Sequence, residues 1–144
     1  MAQNSNKPNA LFWIVATIAL IWNGIGILNY LTQAYMTVEM KASMPEAQVE
    51  FMENRPSWAT AAFAIAVFCG TLGAILLFFR KKLAFTLFVL SFLGVIVQMA
   101  SDVFMNSEFF EFGVAEISLT VLIVAIGIFL IIYSKSSYKK GWLS

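Results

Sequence analysis

Residues 58–79 read WATAAFAIAVFCGTLGAILLFF, and residues 83–100, after Arg80, Lys81 and Lys82, read LAFTLFVLSFLGVIVQMA. Neither apolar run contains a charge. Their lengths, 22 and 18 residues, are close to the roughly 20 residues that a helix needs to cross a hydrocarbon core of about 30 Å. A lone segment in lipid has to satisfy its own backbone hydrogen bonds, so each run is predicted to be a helix. The short connection predicts that the two helices form an antiparallel hairpin.

Two further apolar runs flank this hairpin, at residues 10–30 and 114–133. The chain is 60% hydrophobic and 12% charged, whereas soluble domains are about 25% charged. The first run is too long for the apolar core of a cleaved signal peptide, so we interpret it as a retained helix. The sequence therefore predicts an all-α membrane protein, a single domain over residues 1–144 that forms an antiparallel bundle of four transmembrane helices, at residues 10–30, 58–79, 83–100 and 114–133.

The charges are distributed unequally between the two sides of this bundle. Seven of the nine basic residues lie beside the termini or in the second connection, whereas all eight acidic residues lie on the opposite side. The positive-inside rule predicts that both termini and the second connection lie in the cytoplasm. We interpret the membrane as a bacterial inner membrane. Lys41 and Arg55 are the two basic residues on the outer side.

The longest connection, residues 31–57, carries a helix signal of its own. Pro45 suits the first position of a helix, and apolar and acidic side chains alternate between two faces from there to Asn54. This pattern predicts a short helix lying on the outer membrane surface. The functional alternative is that this short helix forms a lid over an outer vestibule.

Each predicted span carries one stripe of small or polar residues at three- and four-residue steps. Small residues allow helices to approach closely in lipid, so the four stripes are predicted to turn inward. The stripes consist of Ala16, Ala19, Asn23, Gly26 and Tyr30; Ala59, Ala62, Ala66, Cys69, Gly70 and Gly73; Ala84, Ser91, Gly94, Gln98 and Asp102; and Glu116, Thr120, Gly127 and Ser134.

Polar groups within the spans are the candidate functional residues, because burying them in lipid costs free energy. At 1.5 Å per residue, six polar groups fall in the outer half of the bundle, where inward stripes would line one pocket open to the outside. They are Asn23, Asn29, Gln98, Asp102, Glu116 and Thr120. The predicted substrate-binding residues are Asn23, Gln98, Thr120, Asp102, Glu116 and Tyr30. Two structural alternatives stay open: these groups join neighbouring helices by hydrogen bonds, and Glu116 complements a helix dipole.

Carboxamides and a hydroxyl offer both donors and acceptors, which suits a neutral, hydroxyl-rich solute or a weak cation. Trp22 and Tyr30 could stack on the face of a sugar, and nearby carboxylates disfavour anions.

The chain has no histidine and one cysteine, Cys69. It therefore lacks the residues for a histidine-ligated haem, a cysteine metal cluster or a catalytic triad. We expect no enzymatic activity, no cofactor, no metal and no nucleic-acid partner.

Several short motifs resemble a group of short four-helix bacterial membrane proteins that commonly carry the label "sugar transporter", and more loosely the DoxX-like proteins. The motifs are Trp22-Asn23-Gly24, Pro56-x-Trp58 with the Ala- and Gly-rich run 61–73, Arg80-Lys81-Lys82-x-Ala84, Val97-Gln98 and Gly141-Trp142-Leu143-Ser144. The resemblance implies transport of a small neutral solute. Four helices enclose little space alone, so a transporter of this kind is expected to be a homo-oligomer. The alternative is a structural or accessory subunit of a larger membrane complex.

Overall fold

The computed structural model describes residues 7–105 and 113–144. Glu108 and Glu111, which contributed to the charge argument, lie outside these ranges. Within them the chain is helical, and no strand occurs. The helices are α1 Ala10–Ala34, α2 Val38–Ala42, α3 Glu46–Glu53, α4 Ser57–Phe78, α5 Leu83–Met105 and α6 Val114–Lys139. Four of them, α1, α4, α5 and α6, are long and apolar enough to cross a membrane, so the all-helical class and the four span-forming helices are confirmed.

Helices α1, α5 and α6 end several residues beyond the predicted apolar runs, whereas α4 begins and ends one residue earlier than predicted. Helix α1 continues to Ala34 and α6 continues to Lys139, past the expected ends at residues 30 and 133. Hydropathy marks how much of a helix suits lipid, whereas the helix itself ends where its backbone hydrogen bonding is interrupted. For α6 that interruption is Gly141, whose φ of 72° lies in the left-handed region that favours glycine.

Side-chain contacts define the order in which the long helices pack. Trp13 of α1 contacts Phe78 of α4, and Tyr30 of α1 contacts Phe63 of α4, with ring centroids 5.4 and 5.6 Å apart. The residue numbers rise on α1 and fall on α4, so these two helices run in opposite directions. Helix α5 packs along α4, and α6 packs along α5. Helices α1 and α6 meet where the rings of Phe12 and Tyr133 stack, 6.4 Å apart.

Small residues allow the close packing between α4 and α5. Ala59, Ala62, Ala66, Gly70 and Gly73 of the predicted α4 stripe are all buried, and Cys69 is half-buried. The two backbones approach closely at Gly94 of α5. A Cβ added there would lie 2.7 Å from the Ala62 carbonyl oxygen and 2.9 Å from the Ala66 nitrogen. Because both are backbone atoms, only glycine fits at position 94.

One end of the molecule, which we call the turn end, contains the α4–α5 turn at residues 79–82, the start of α1 and the tail 140–144. The Ser144 N–H donates to the Arg80 carbonyl at 2.7 Å, and the Lys82 N–H donates to the Ser144 carbonyl at 3.1 Å. This pairing holds Leu143 in a buried apolar cluster. The turn-end cluster consists of Phe12, Ala16, Ala19, Ala74, Leu77, Ala84, Phe88, Leu130 and Leu143.

The opposite end, the loop end, carries the two short helices between α1 and α4. The helix expected after Pro45 is present as α3, and it begins one residue later, at Glu46. Helix α2 was not predicted. Thr37 caps it by accepting a hydrogen bond from the Met40 N–H at 3.3 Å. The position of α3 on a membrane surface stays a prediction.

Candidate solute-binding cavity

A cavity of about 460 Å³ lies between the four long helices. It reaches from Phe88 and Leu130, which also belong to the turn-end cluster, to Gln33 and Asp102 towards the loop end. Along α5 this distance is about 21 Å at 1.5 Å per residue. The wall is mostly aliphatic and aromatic. Its polar members are Asn23, Asn29, Gln33, Ser91, Gln98, Asp102 and Thr120.

The structure brings four of the six sequence-predicted residues to this one cavity. Asn23 comes from α1, Gln98 and Asp102 come from successive turns of α5, and Thr120 comes from α6. Trp22, which was expected to stack on a sugar, also lines the wall. The part of these residues in substrate binding stays a prediction.

Asn29, expected in the same pocket, also lines the cavity, whereas Glu116 and Tyr30 do not. The Tyr30 ring packs edge-on against Phe63 and Phe68 of α4, with centroids 5.6 and 5.7 Å away. Glu116 is exposed in the first turn of α6, and its Oε2 lies beside Gly113, the residue that precedes the helix. A carboxylate there complements the helix dipole, which accounts for Glu116 without a ligand.

Asn23 and Ser91 sit where three helices meet. The Asn23 side-chain N–H donates to the Ala19 carbonyl at 2.8 Å, and the Ser91 hydroxyl donates to the Ala66 carbonyl at 2.6 Å. Gly70 makes room for both, because a Cβ there would collide with Asn23 Oδ1 and lie 2.9 Å from Ser91 Oγ. Asn23 therefore packs against Gly70 of α4, while its hydrogen bond stays within α1.

Arg55, which precedes α4, bridges two helices at the loop end of the cavity. Its Nη1–H donates to Gln33 Oε1 of α1 at 3.1 Å, and its Nε lies 3.5 Å from Asp102 Oδ1 of α5. The guanidinium also stacks over the Phe51 ring, 5.2 Å from its centroid. Only 10% of the Arg55 side chain and 9% of the Asp102 side chain are exposed. Gln98 lies one helical turn before Asp102 on α5 and lines the same cavity.

From the sequence, Arg55 was assigned to the first connection, and its bridging of α1 and α5 was not predicted. One feature of the sequence points to this role: Arg55 is a basic residue in a connection rich in acidic residues, and it directly precedes a predicted span. A buried guanidinium needs a counter-charge, and Asp102 at the end of another span was the matching acid. Because 46 residues separate the two in the sequence, only the packing of α5 on α4 brings them together.

Comparison of the chain with known protein families, with curated proteins and with solved structures found no match. The class therefore rests on the fold. Its four long apolar helices indicate an integral, multi-pass membrane protein.

Proposed function

We propose that this protein binds a small neutral solute, such as a sugar, in the cavity between α1, α4, α5 and α6, and passes it across a bacterial inner membrane. The observation that carries the proposal is the cavity itself. Its volume of about 460 Å³ lies within the roughly 300–1,000 Å³ of small-molecule sites, which combine apolar walls with a few convergent polar groups. The resemblance to the "sugar transporter" group supports the same function.

The charges of the cavity favour a neutral ligand. Asp102 is its acidic lining residue, and the Arg55 guanidinium neutralises that carboxylate. The remaining polar groups, the carboxamides of Asn23 and Gln98 and the hydroxyl of Thr120, offer donors and acceptors without net charge. Such a set suits hydroxyl groups better than an ion.

In this proposal the four helices form an antiparallel bundle whose turn end faces the cytoplasm. The reason is the basic sequence Arg80-Lys81-Lys82 at the turn end and the acidic residues of α2 and α3 at the loop end. The cavity is then closed towards the cytoplasm by the turn-end cluster, and its polar rim faces outwards. Release of solute inside requires Phe12, Phe88 and Leu130 to separate.

Melting temperatures of the full chain in mild detergent, measured against sugars, polyols and amino acids, test the binding step. A ligand at 100 times its Kd adds about 2.7 kcal/mol of apparent stability. We expect a selective rise that is lost in Gln98→Leu and Thr120→Val but kept in Thr86→Val. Thr86 is an exposed threonine of α5 outside the cavity, so it controls for the substitution itself. No shift with any solute in well-folded protein, or a shift that both cavity variants retain, contradicts the proposal.

A second candidate function is that of an accessory subunit in a larger membrane complex. The observation in its favour is the exposure of α6, because only 6% of its most apolar 18-residue stretch is buried within the protein. This face could pack against another protein, or against a second copy in a homo-oligomer. Recovery of unrelated membrane proteins with the tagged chain from native membranes, combined with unchanged recovery in Gln98→Leu, would favour the subunit. A defined homo-oligomer that responds to solute would favour the transporter.

A further inference from the structure

A second pocket, of about 330 Å³, lies at the loop end between the end of α1 and the short helices α2 and α3. The pocket has eight lining residues, and four of them are methionines. The whole chain contains seven methionines. They are Met36, Met40, Met44 and Met52, and we call this site the methionine pocket. The other four lining residues, Asn29, Thr32, Gln33 and Ser43, carry neutral oxygen-bearing side chains.

The backbone that carries these methionines is held in place by local bonds. Met36, Met40 and Met44 follow one another at four-residue steps. The Ser43 hydroxyl donates to the Met40 carbonyl at 2.7 Å, in addition to the Thr37 cap. Met52 reaches the same pocket from α3, whose Glu53 Oε1 lies 2.7 Å from Lys41 Nζ of α2 in an exposed ion pair.

A purely lipid-facing role does not explain this concentration of methionine. The exposed apolar surface of the four long helices is built from Leu, Ile, Val, Phe, Trp and Tyr, and Met40 is the one methionine among the large exposed apolar residues of the described chain. Methionine differs from those side chains in its thioether, a soft ligand that selects Cu(I) among metal ions. Its flexible side chain also allows several sulfur atoms to converge on one point.

We propose that the methionine pocket binds a soft monovalent cation, Cu(I) or its analogue Ag(I), through the sulfur atoms of Met36, Met40, Met44 and Met52. The expectation of no metal site considered histidine and cysteine and left thioethers aside. Because a thioether has no proton to lose, binding should be equally strong at about pH 5 and pH 7. A site of histidine, cysteine or carboxylate ligands would weaken at the lower pH. The proposal does not depend on solute binding in the larger cavity.

Titration of the full chain with silver nitrate in chloride-free detergent buffer tests the site directly. The protein carries Cys69→Ser, because this thiol would bind the same cation, and its methionines carry ¹³C in the methyl group. We expect the methyl resonances of the four pocket methionines to shift together and saturate near one Ag(I) per chain. The Met99 resonance, from the larger cavity, should stay in place.

Paired substitutions by leucine, which nearly conserves volume, separate ligation from folding. Loss of a second-shell group lowers metal affinity about 10–100-fold, so removal of two ligands in Met40→Leu with Met44→Leu should weaken Ag(I) binding by at least about tenfold. Met99→Leu should leave the affinity unchanged, and circular dichroism checks that each variant is folded. Unchanged affinity in the folded double variant, equal shifts at Met99, or binding that disappears at pH 5 would overturn the proposal.

Discussion

The substitution Asp102→Asn is expected to destabilise the protein strongly, because it leaves the Arg55 guanidinium buried without its counter-charge. At the observed separation of 3.5 Å, the gross attraction is about 5 kcal/mol at an effective dielectric constant near 20. Breaking a buried pair by removing one partner typically costs about 3–5 kcal/mol. For a chain of this size, 1 kcal/mol corresponds to about 2–4 °C in Tm, so we expect Tm to fall by roughly 6–20 °C.

The double variant Arg55→Met with Asp102→Leu provides the complementary result. Replacing both charges of a buried pair with apolar side chains is often neutral or stabilising. The double variant should therefore melt well above Asp102→Asn, and the two positions should show strong coupling in a double-mutant cycle. The matched control is the exposed pair Lys41–Glu53, whose side chains are 40% and 57% exposed. Exposed pairs contribute only about 0–1 kcal/mol, so Glu53→Gln should barely change Tm.

Thermal unfolding of the full chain in one detergent, followed by circular dichroism, measures all of these variants. Two outcomes refute the reasoning. In the first, Asp102→Asn melts within a few degrees of the original protein, as Glu53→Gln should. In the second, the effects of Arg55→Met and Asp102→Leu simply add. Either would mean that water reaches the pair and screens it.

Three further predictions concern packing. Gly94→Ala should lower the free energy of unfolding by about 1–3 kcal/mol, because its Cβ meets backbone atoms of α4; Gly24→Ala, with no atom within 4 Å of the added Cβ, should be neutral or slightly stabilising in the same melts. Phe12→Ala, at a fully buried ring, should cost about 3–5 kcal/mol, and an unchanged Tm would argue against the turn-end cluster. Thr37→Ala should speed amide exchange in α2 through loss of its cap without changing the Tm, and unchanged exchange would contradict that role.

The span-forming helices could be predicted because lipid imposes a length and a composition on each of them. The predicted stripe of α4 was also recoverable, since the spacing of its alanines and glycines fixes a helix face. The same logic placed Asn23, Gln98 and Thr120 on inward faces, and the structure brings all three to one cavity.

The remainder of the site depends on which helix each face meets, and sequence periodicity does not determine that. Tyr30 lies on the same stripe as Asn23, yet at its height the stripe faces the aromatic rings of α4. Arg55 belongs to a connection whose path is set by α2 and α3. The methionine pocket likewise needed the fold, because Met52 joins the other three only when α3 packs beside α2.

In the proposed orientation, the cavity opens to the outer side of the membrane and is closed to the cytoplasm. Cysteine accessibility in spheroplasts tests it most directly, with Thr120→Cys or Ser134→Cys introduced into a Cys69→Ser chain and a membrane-impermeant maleimide added outside. Thr120 lines the cavity, whereas Ser134 lies further along α6 and is 0% exposed. We expect rapid labelling at Thr120→Cys and none at Ser134→Cys. Labelling of Thr120→Cys that needs a permeabilised membrane, or that is no faster than at Ser134→Cys, would contradict it.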